Sequence, residues 1–168
     1  MGNFYTDNDD IRFLFRHIDL APLAEAFEED FRFAKEFDYA PGNVQDAIRN
    51  YEMVLDSLGE LCADFIAPRA ETVDREGNTL NEDGSVTRPK GIAEDIEKLA
   101  QAEVMGFTLP HRFGGLNFPN LIYSMGNEIL SRADASLSNI FGLQGIADTI
   151  NAFASEEIKQ KYLPLFAE

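Results

Sequence analysis

Hydrophobic residues recur along most of this chain at the spacing of an α-helix, and they predict a series of amphipathic helices. The first stripe lies near the N-terminus, at Ile11, Leu14, Phe15 and Ile18. A second stripe follows the acidic break at Asp19, with apolar residues at Leu20, Leu23, Ala24, Phe27, Phe31 and Ala34. Because each predicted helix has one apolar face, we expect both to pack on a common core.

The longest stripe predicts a helix that starts after Asn43 and ends near Pro68. Asn43 is suited to the N-cap because its side-chain oxygen can accept a hydrogen bond from a free backbone N–H of the first turn. The apolar positions are Ala47, Ile48, Tyr51, Val54, Leu55, Leu58, Leu61, Cys62, Phe65 and Ile66. Cys62 is the single cysteine and lies on this apolar stripe, so we expect a buried thiol rather than a nucleophile.

The middle of the chain alternates between loops and helices. Residues 72–91 are polar, contain three glycines and a proline, and show no apolar period, so they predict a surface loop without strands. Helical periodicity returns from Pro89 to Val104. The sequence LPHRFGGLNFP at 109–119 then brackets two glycines with two prolines, which predicts a rigid, sharp turn. Pro119 suits the start of the next helix, whose stripe carries Ile122, Met125 and Ile129.

The segment 135–154, ASLSNIFGLQGIADTINAFA, differs from the other helical segments. Asp134 is expected to cap it. The segment is apolar on more than one face, almost uncharged, and contains Gly142 and Gly145. We therefore expect one helix, buried centrally, with small residues where another backbone or a ligand comes close. Ser155 is expected to cap a last, short helix.

The whole pattern predicts an all-α fold, an up-and-down bundle of six to seven helices without a strand. A chain of 168 residues is long enough to bury a core of its own. The formal net charge of -16 repels phosphate backbones and anionic lipid surfaces, which argues against nucleic-acid partners. We find no apolar run of bilayer length and no secretory signal pattern, and we expect a cytoplasmic protein.

The residues alone predict no self-contained catalytic, cofactor or metal site. His17 is expected at a helix end and His111 in a solvated loop, and neither has a cluster of ligands around it. Paired carboxylates are expected on solvent-facing helix surfaces, at Glu28/Glu29 and Glu156/Glu157. Asp74, Glu76 and Asn78 have the alternate spacing of calcium ligands, but the glycine of the EF-hand pattern is misplaced.

Four motifs, in order, resemble the N-terminal helical domain of acyl-CoA dehydrogenases from Tyr51 to Glu168. They are FIAPRAETVDREG (65–77), LAQAEVMGFTLPHRFGGLNFP (99–119), NEILSRADASLSNIFGLQGIA (127–147) and SEEIKQKYLPLFAE (155–168). We accordingly predict a family domain at 46–168. Residues 1–45, with NFYTDNDDIRFLF, resemble a helical extension in a longer-chain branch of the family.

One motif departs from the family. HRFGGL stands where E-x-Y-G-G-L is commoner, which puts His111 and Arg112 where acidic residues often stand. We expect this difference to matter little.

The resemblance implies an FAD flavoprotein, an oxidoreductase of fatty acid metabolism and β-oxidation. Such a protein converts an acyl-CoA thioester to the trans-2-enoyl-CoA and passes electrons to an acceptor such as an electron-transfer flavoprotein. In the family, a middle β-domain builds most of the flavin site and a C-terminal helical domain carries the catalytic base. We expect both to lie outside this chain, the chain alone to be inactive, and the full-length protein to be a homo-oligomer.

The resemblance also implies a role in the acyl-chain pocket for the segment after Asp134. Matching backwards from KYLPLF places the pocket-lining positions at Leu137, Ser138, Phe141, Gly142 and Gly145. Small residues at 142 and 145 leave room for an acyl chain, while the alternative is that they only permit close helix packing. An alternative function is a stand-alone helical interaction module derived from the same domain.

Overall fold

The computed structural model, which describes residues 2–167, is built almost entirely of helices and confirms the all-α class. Met1 and Glu168, the first and last residues of the two predicted domains, lie outside the described residues. The α-helices are α1 (Asp9–His17), α2 (Ala21–Phe27), α3 (Val44–Leu61), α4 (Ala67–Glu76), α5 (Lys90–Gln101), α6 (Asn120–Ala133), α7 (Ala135–Gly142), α8 (Gly145–Phe153) and α9 (Glu156–Tyr162). Short 3₁₀ turns lie at Arg32–Lys35, His111–Phe113 and Leu163–Phe166.

Helix α3 lies at the centre of the core and packs on α2 and α6. Its inward residues are completely buried, at Ala47, Tyr51, Leu55 and Leu58. The N-terminal stripes belong to the same core, because Ile11, Phe15, Leu20 and Ala24 are buried in the cluster that includes the α3 side chains. The predicted stripe of α3 is therefore confirmed as core-facing, and those of the first helices are confirmed except at Leu14 and Phe27, which are exposed.

Helix α3 begins as the sequence predicts, but the helical chain continues past Pro68. The Asn43 side chain accepts a hydrogen bond from the backbone N–H of Asp46 at 3.0 Å. After Leu61 the chain forms a π-helical turn, Cys62–Ile66, and then α4, which runs to Glu76. Pro68 lies in the first turn of α4. The wider π turn before it lets the helix pass a residue that has no N–H, which is why the predicted end at Pro68 was wrong.

The predicted second helix is shorter than its apolar stripe. Helix α2 ends at Phe27, and Glu29, Asp30 and Phe31 take left-handed backbone angles, with φ of 46°, 56° and 62°. A helix cannot continue through such angles. Phe31 therefore packs against the core from the position just before a 3₁₀ turn rather than from the predicted helix.

A small hairpin replaces part of the predicted loop at 72–91. Strands β1 (Thr79–Leu80) and β2 (Val86–Thr87) pair antiparallel, with Thr79 opposite Thr87. The expectation of no strand was wrong here because Gly84, at φ 81°, lets the chain turn tightly between the two strands. Both strands are exposed, so the apolar period that marks a buried strand is missing from the sequence.

The turn at 109–119 is held by close backbone contacts, and both glycines are needed. A Cβ on Gly115 would lie 2.1 Å from the Leu109 carbonyl oxygen, and Gly114 has φ of 85°. Two polar contacts join this region to the last helices: Thr108 Oγ1 donates to Asp148 Oδ1 at 2.8 Å, and Arg112 pairs with Glu156 at 2.8 Å. The turn thus has a geometric role and positions the start of α6.

Candidate functional site

The candidate pocket segment starts where Asp134 ends α6. The Asp134 carboxylate accepts hydrogen bonds from the backbone N–H groups of Ser136 at 2.8 Å and Leu137 at 3.3 Å, and so caps α7 as predicted. The segment that follows is two helices rather than one. Gln144 N–H donates to Phe141 O and Ile146 N–H to Leu143 O, and these short-range bonds separate α7 from α8.

Two of the five predicted pocket residues point into the core. Leu137 and Phe141 are 0% and 1% exposed. The Phe141 ring stacks on Tyr123 of α6 at a centroid distance of 5.4 Å, and the Tyr123 hydroxyl donates to the Phe141 carbonyl at 3.1 Å. Phe107 meets the Phe141 ring edge-on at 5.9 Å. These two residues fix α7 against the core.

The other three predicted residues do not point into the core: Ser138 is half-buried, and Gly142 and Gly145 are exposed. Ser138, Gly142 and Gly145 follow one another at intervals of four and three residues, and both glycines are exposed. A Cβ built on either glycine meets no atom within 4 Å. Within the described residues, neither glycine therefore packs closely against another helix, and the pocket role of both positions stays a prediction.

The surface around the two glycines is apolar. Leu143, Ile146 and Phe153 are 51%, 49% and 87% exposed. We call Gly142, Leu143, Gly145, Ile146 and Phe153 the open face.

The prediction of a centrally buried helix was wrong, because only the side of α7 and α8 that carries Leu137, Phe141 and Ala147 is buried. Helix α9, which packs on α8, also exposes Ile158 and Tyr162. Apolar surface of this extent is typical of a face that another body covers.

Two clefts lie near these helices. A groove of about 430 Å³ runs beside α7 and is lined by Ile140, Leu143 and residues of α4 and α5 such as Val73 and Ile92. A larger cleft of about 600 Å³ is lined by residues of the N-terminal segment, α3 and the turn, among them Tyr39, Val54, His111, Leu116 and Phe118. None of the five predicted pocket residues lines either cleft.

His111 and Glu28 form a buried polar pair that the sequence analysis missed. The side chains are 3% and 1% exposed, and Nε2 of His111 lies 2.9 Å from Oε2 of Glu28. The expectations of a solvated His111 and of a solvent-facing Glu28 were wrong. The signal was present in the helical period, since Glu28 falls four residues after Ala24 on the inward face of α2. Glu29, Glu156 and Glu157 are exposed as expected.

A second buried polar group joins α4 to α5. Arg69 lies over the Phe65 ring at 3.6 Å from its centroid and donates to the carboxylates of Asp95 and Glu94. Burial raises the pKa of Asp95, and the Arg69 guanidinium opposes that shift. Burial also raises the pKa of Cys62 to about 12. The thiol is fully buried, which confirms the prediction that it belongs to the core.

Within residues 2–167, no three His, Cys, Asp or Glu side chains come together as a group that could hold a metal ion. None of the helices in this range combines the length and the apolar character that a bilayer crossing requires. His17 ends α1, as predicted, where its Nδ1 lies 2.8 Å from the Phe13 carbonyl oxygen.

Comparison with known proteins confirms the resemblance carried by the motifs. Residues 49–168 match the family model described as acyl-CoA dehydrogenase, N-terminal domain. Isovaleryl-CoA dehydrogenase, mitochondrial, of Solanum tuberosum is 28% identical over 111 residues, which cover 65% of this chain and 24% of that protein. 2-methylacyl-CoA dehydrogenase, mitochondrial, of the same plant is 30% identical over 112 residues, with the same two coverages.

The chain spans about a quarter of the length of these relatives. The family match covers well over half of the chain and includes α4 to α9, the turn at 109–119 and the open face. The chain therefore belongs to the acyl-CoA dehydrogenase family, and residues 49–168 are its N-terminal domain.

Proposed function

We propose that this domain is part of an FAD-dependent acyl-CoA dehydrogenase and that its open face forms one wall of the acyl-chain site. The whole protein would remove hydrogens from the α and β carbons of an acyl-CoA and give a trans-2-enoyl-CoA. The observation that carries the proposal is the open face itself. Two glycines without any neighbour above them lie between exposed apolar side chains, in a domain of the acyl-CoA dehydrogenase family.

The chemistry of the open face suits an acyl chain. Leu143 and Ile146 supply apolar contact, and the missing side chains at Gly142 and Gly145 leave open space next to them. Ligand pockets are mostly apolar and concave, and need walls on several sides. Since the chain spans about a quarter of its relatives, residues beyond it are expected to supply the opposite walls.

We expect the residues of this chain to lie beside FAD rather than to hold it. The open face could border a flavin ring or an acyl chain, but its side chains are apolar and offer no cation for the FAD pyrophosphate. The net charge of -16 also disfavours an anionic cofactor on the isolated domain. When bound to the whole protein, FAD would accept the hydride. The residues of this chain would orient the acyl group and exclude water, and the chain alone would be inactive.

Substrate, partners and location remain predictions. The two relatives are named for isovaleryl-CoA and 2-methylacyl-CoA, which are branched acyl-CoAs, so branched and straight acyl chains both need testing. An electron-transfer flavoprotein as acceptor and a homo-oligomeric whole protein follow from the family. A cytoplasmic location is expected from the sequence, whereas both relatives are named as mitochondrial.

The test is to purify the whole protein that contains this domain and record its visible spectrum under anaerobic conditions. We expect a yellow protein whose flavin absorbance is bleached by acyl-CoAs from a series of straight and branched chains. The matched control is an enoyl-CoA, which already has the double bond between its α and β carbons and should not bleach the flavin. A colourless, inert protein would overturn the enzymatic proposal and favour the stand-alone interaction module.

A further inference from the structure

The buried pair Glu28–His111 joins two parts of the chain that are 83 residues apart. Glu28 ends α2 in the N-terminal segment, and His111 lies in the turn at 109–119. Asn117 adds two contacts from the same turn, because its side-chain amide donates to the Phe27 carbonyl at 2.7 Å and to Glu28 Oε1 at 3.3 Å. The end of α2 is thereby held against the turn by side chains alone.

Both nitrogens of the His111 ring face oxygen atoms. Nδ1 lies 3.2 Å from the Gly115 carbonyl, which can only accept, so Nδ1 carries a proton. Nε2 lies 2.9 Å from Glu28 Oε2, and a second proton must lie between these two atoms to join them. The pair is net neutral whichever atom holds that proton. Without the proton, a carboxylate would be buried against the lone pair of a ring nitrogen, which is unfavourable.

Residues that follow Glu28 surround the His111 ring. The rings of Phe33, Phe37 and Tyr39 lie at centroid distances of 5.6, 5.7 and 5.3 Å from it. The Tyr39 hydroxyl donates to the His111 carbonyl oxygen at 3.0 Å. His111 is thus the centre on which residues 28–40 dock.

The backbone between Glu28 and these aromatic residues is strained. Glu29, Asp30 and Phe31 are consecutive left-handed residues with side chains, and Asn117 on the opposite side is also left-handed, with φ of 56°. Such conformations persist only where surrounding contacts hold them. The residues on either side of this stretch, Glu28 before it and the three aromatic residues after it, all contact His111.

We propose that residues 28–40 form a strap that is latched onto the turn by the proton-bridged Glu28–His111 pair, and that its release opens the neighbouring cleft. Tyr39 and His111 line that cleft of about 600 Å³ together, so the docked strap forms one of its walls. An acidic residue at 111, where the family motif commonly has one, would place two carboxylates side by side and repel the strap. The His111 departure and the buried Glu28 therefore match each other.

Hydrogen exchange of the backbone amides, measured by mass spectrometry on the protein carrying this chain, tests the latch. We compare the parent with Glu28→Gln, His111→Gln and the double variant. Glutamine keeps the size of the side chain but replaces a charge-assisted contact with a neutral one. Each single variant is expected to exchange about tenfold faster in residues 28–40 and 109–117, with α6 unchanged. The double variant is expected to exchange no faster than the faster single variant, since both changes break the same contact.

Glu29→Gln is the matched control, because the Glu29 side chain is half exposed and forms a surface ion pair with Arg32. It should exchange at the parental rate. Parental rates in both single variants would overturn the latch, as would a double variant in which the two effects multiply. An increase that extends equally through α6 would also overturn it, because the pair would then support the whole fold rather than a releasable strap.

Discussion

Tyr123 and Phe141 stack with their rings 15° from parallel, and the Tyr123 hydroxyl also donates to the Phe141 backbone carbonyl. The contact joins α6 to α7 and sets the rotation of α7 about its axis. With Phe141 turned inward, Gly142 lies about 100° around the helix and faces solvent, whereas Ser138, three residues before Phe141, lies at the edge of the buried face and is half-buried. The stacked pair therefore determines which residues form the open face.

Phe141→Ala is expected to lower the free energy of unfolding by about 3–5 kcal/mol, because it removes a buried aromatic ring and leaves a cavity. Phe153→Ala is the matched control. Its ring is 87% exposed, so we expect a change within about 0.5 kcal/mol. Urea unfolding followed by circular dichroism measures both. Equal losses in the two variants would show that Phe141 is not the inward anchor of α7.

Glycine substitutions should separate the two kinds of glycine in this chain. Gly142→Ala places a methyl group in open space on a helix and is expected to raise the free energy of unfolding by up to about 1 kcal/mol. Gly115→Ala is expected to destabilise severely, because the new Cβ would overlap the Leu109 carbonyl. Thermal melts of both variants test this, and a destabilised Gly142→Ala would mean that position 142 is packed after all.

Asn43→Ala is expected to lower the free energy of unfolding by about 1 kcal/mol, because the N-cap bond to the Asp46 N–H is lost at the start of the longest helix. Asn43→Ser or Asn43→Asp should restore most of it, since both side chains can accept the same bond. Denaturant unfolding measures the three variants. If all three had the parental free energy of unfolding, the capping bond would contribute nothing.

Asp95 is expected to make stability fall as pH rises. Burial raises the pKa of Asp95 in the folded protein, so the folded state holds this proton more tightly than the unfolded state does. The contribution is fully present below the ordinary aspartate pKa and is lost as pH rises through the raised value. The free energy of unfolding, measured from below the ordinary aspartate pKa to above the raised value, should decrease with pH in the parent. This decrease should be absent in Asp95→Asn.

Asp83 is a control for that measurement, because its pKa is shifted in the opposite direction to that of Asp95. Hydrogen bonds from Ser85 lower the pKa of this exposed carboxylate. Its contribution is therefore lost as pH falls through the lowered value. Asp83→Asn should leave the Asp95 slope intact. An unchanged slope in Asp95→Asn would assign the pH dependence to another group.

Local signals in the sequence predicted the helix caps, whereas the burial of His111 depends on a long-range pairing. The caps at Asn43, Asp134 and Ser155 depend on residues within three positions, so they could be read directly. The environment of His111 depends on Glu28, 83 residues away, and no local pattern specifies that meeting.

The candidate site shows the same division. The sequence located the segment with Gly142 and Gly145, but the separation of α7 from α8 and the exposure of both glycines came only from the structure. From the sequence alone, an apolar segment with small residues predicts a buried helix. Here part of the apolar surface of this segment is exposed within residues 2–167. Composition alone cannot distinguish an exposed apolar segment from a buried one.

The most direct test of the open face as an acyl-chain wall is the chain-length profile of Gly145→Leu in the whole protein. The leucine side chain would extend from an exposed position into the space that the proposal assigns to the acyl chain, and its Cβ would meet no atom of this chain within 4 Å. Glu60→Leu, an exposed position on α3, is the control for adding an apolar side chain elsewhere. We predict that kcat/KM for longer acyl-CoAs relative to shorter ones falls by about tenfold or more in Gly145→Leu and stays parental in Glu60→Leu, with both variants folded. A parental profile in a folded Gly145→Leu would contradict the account.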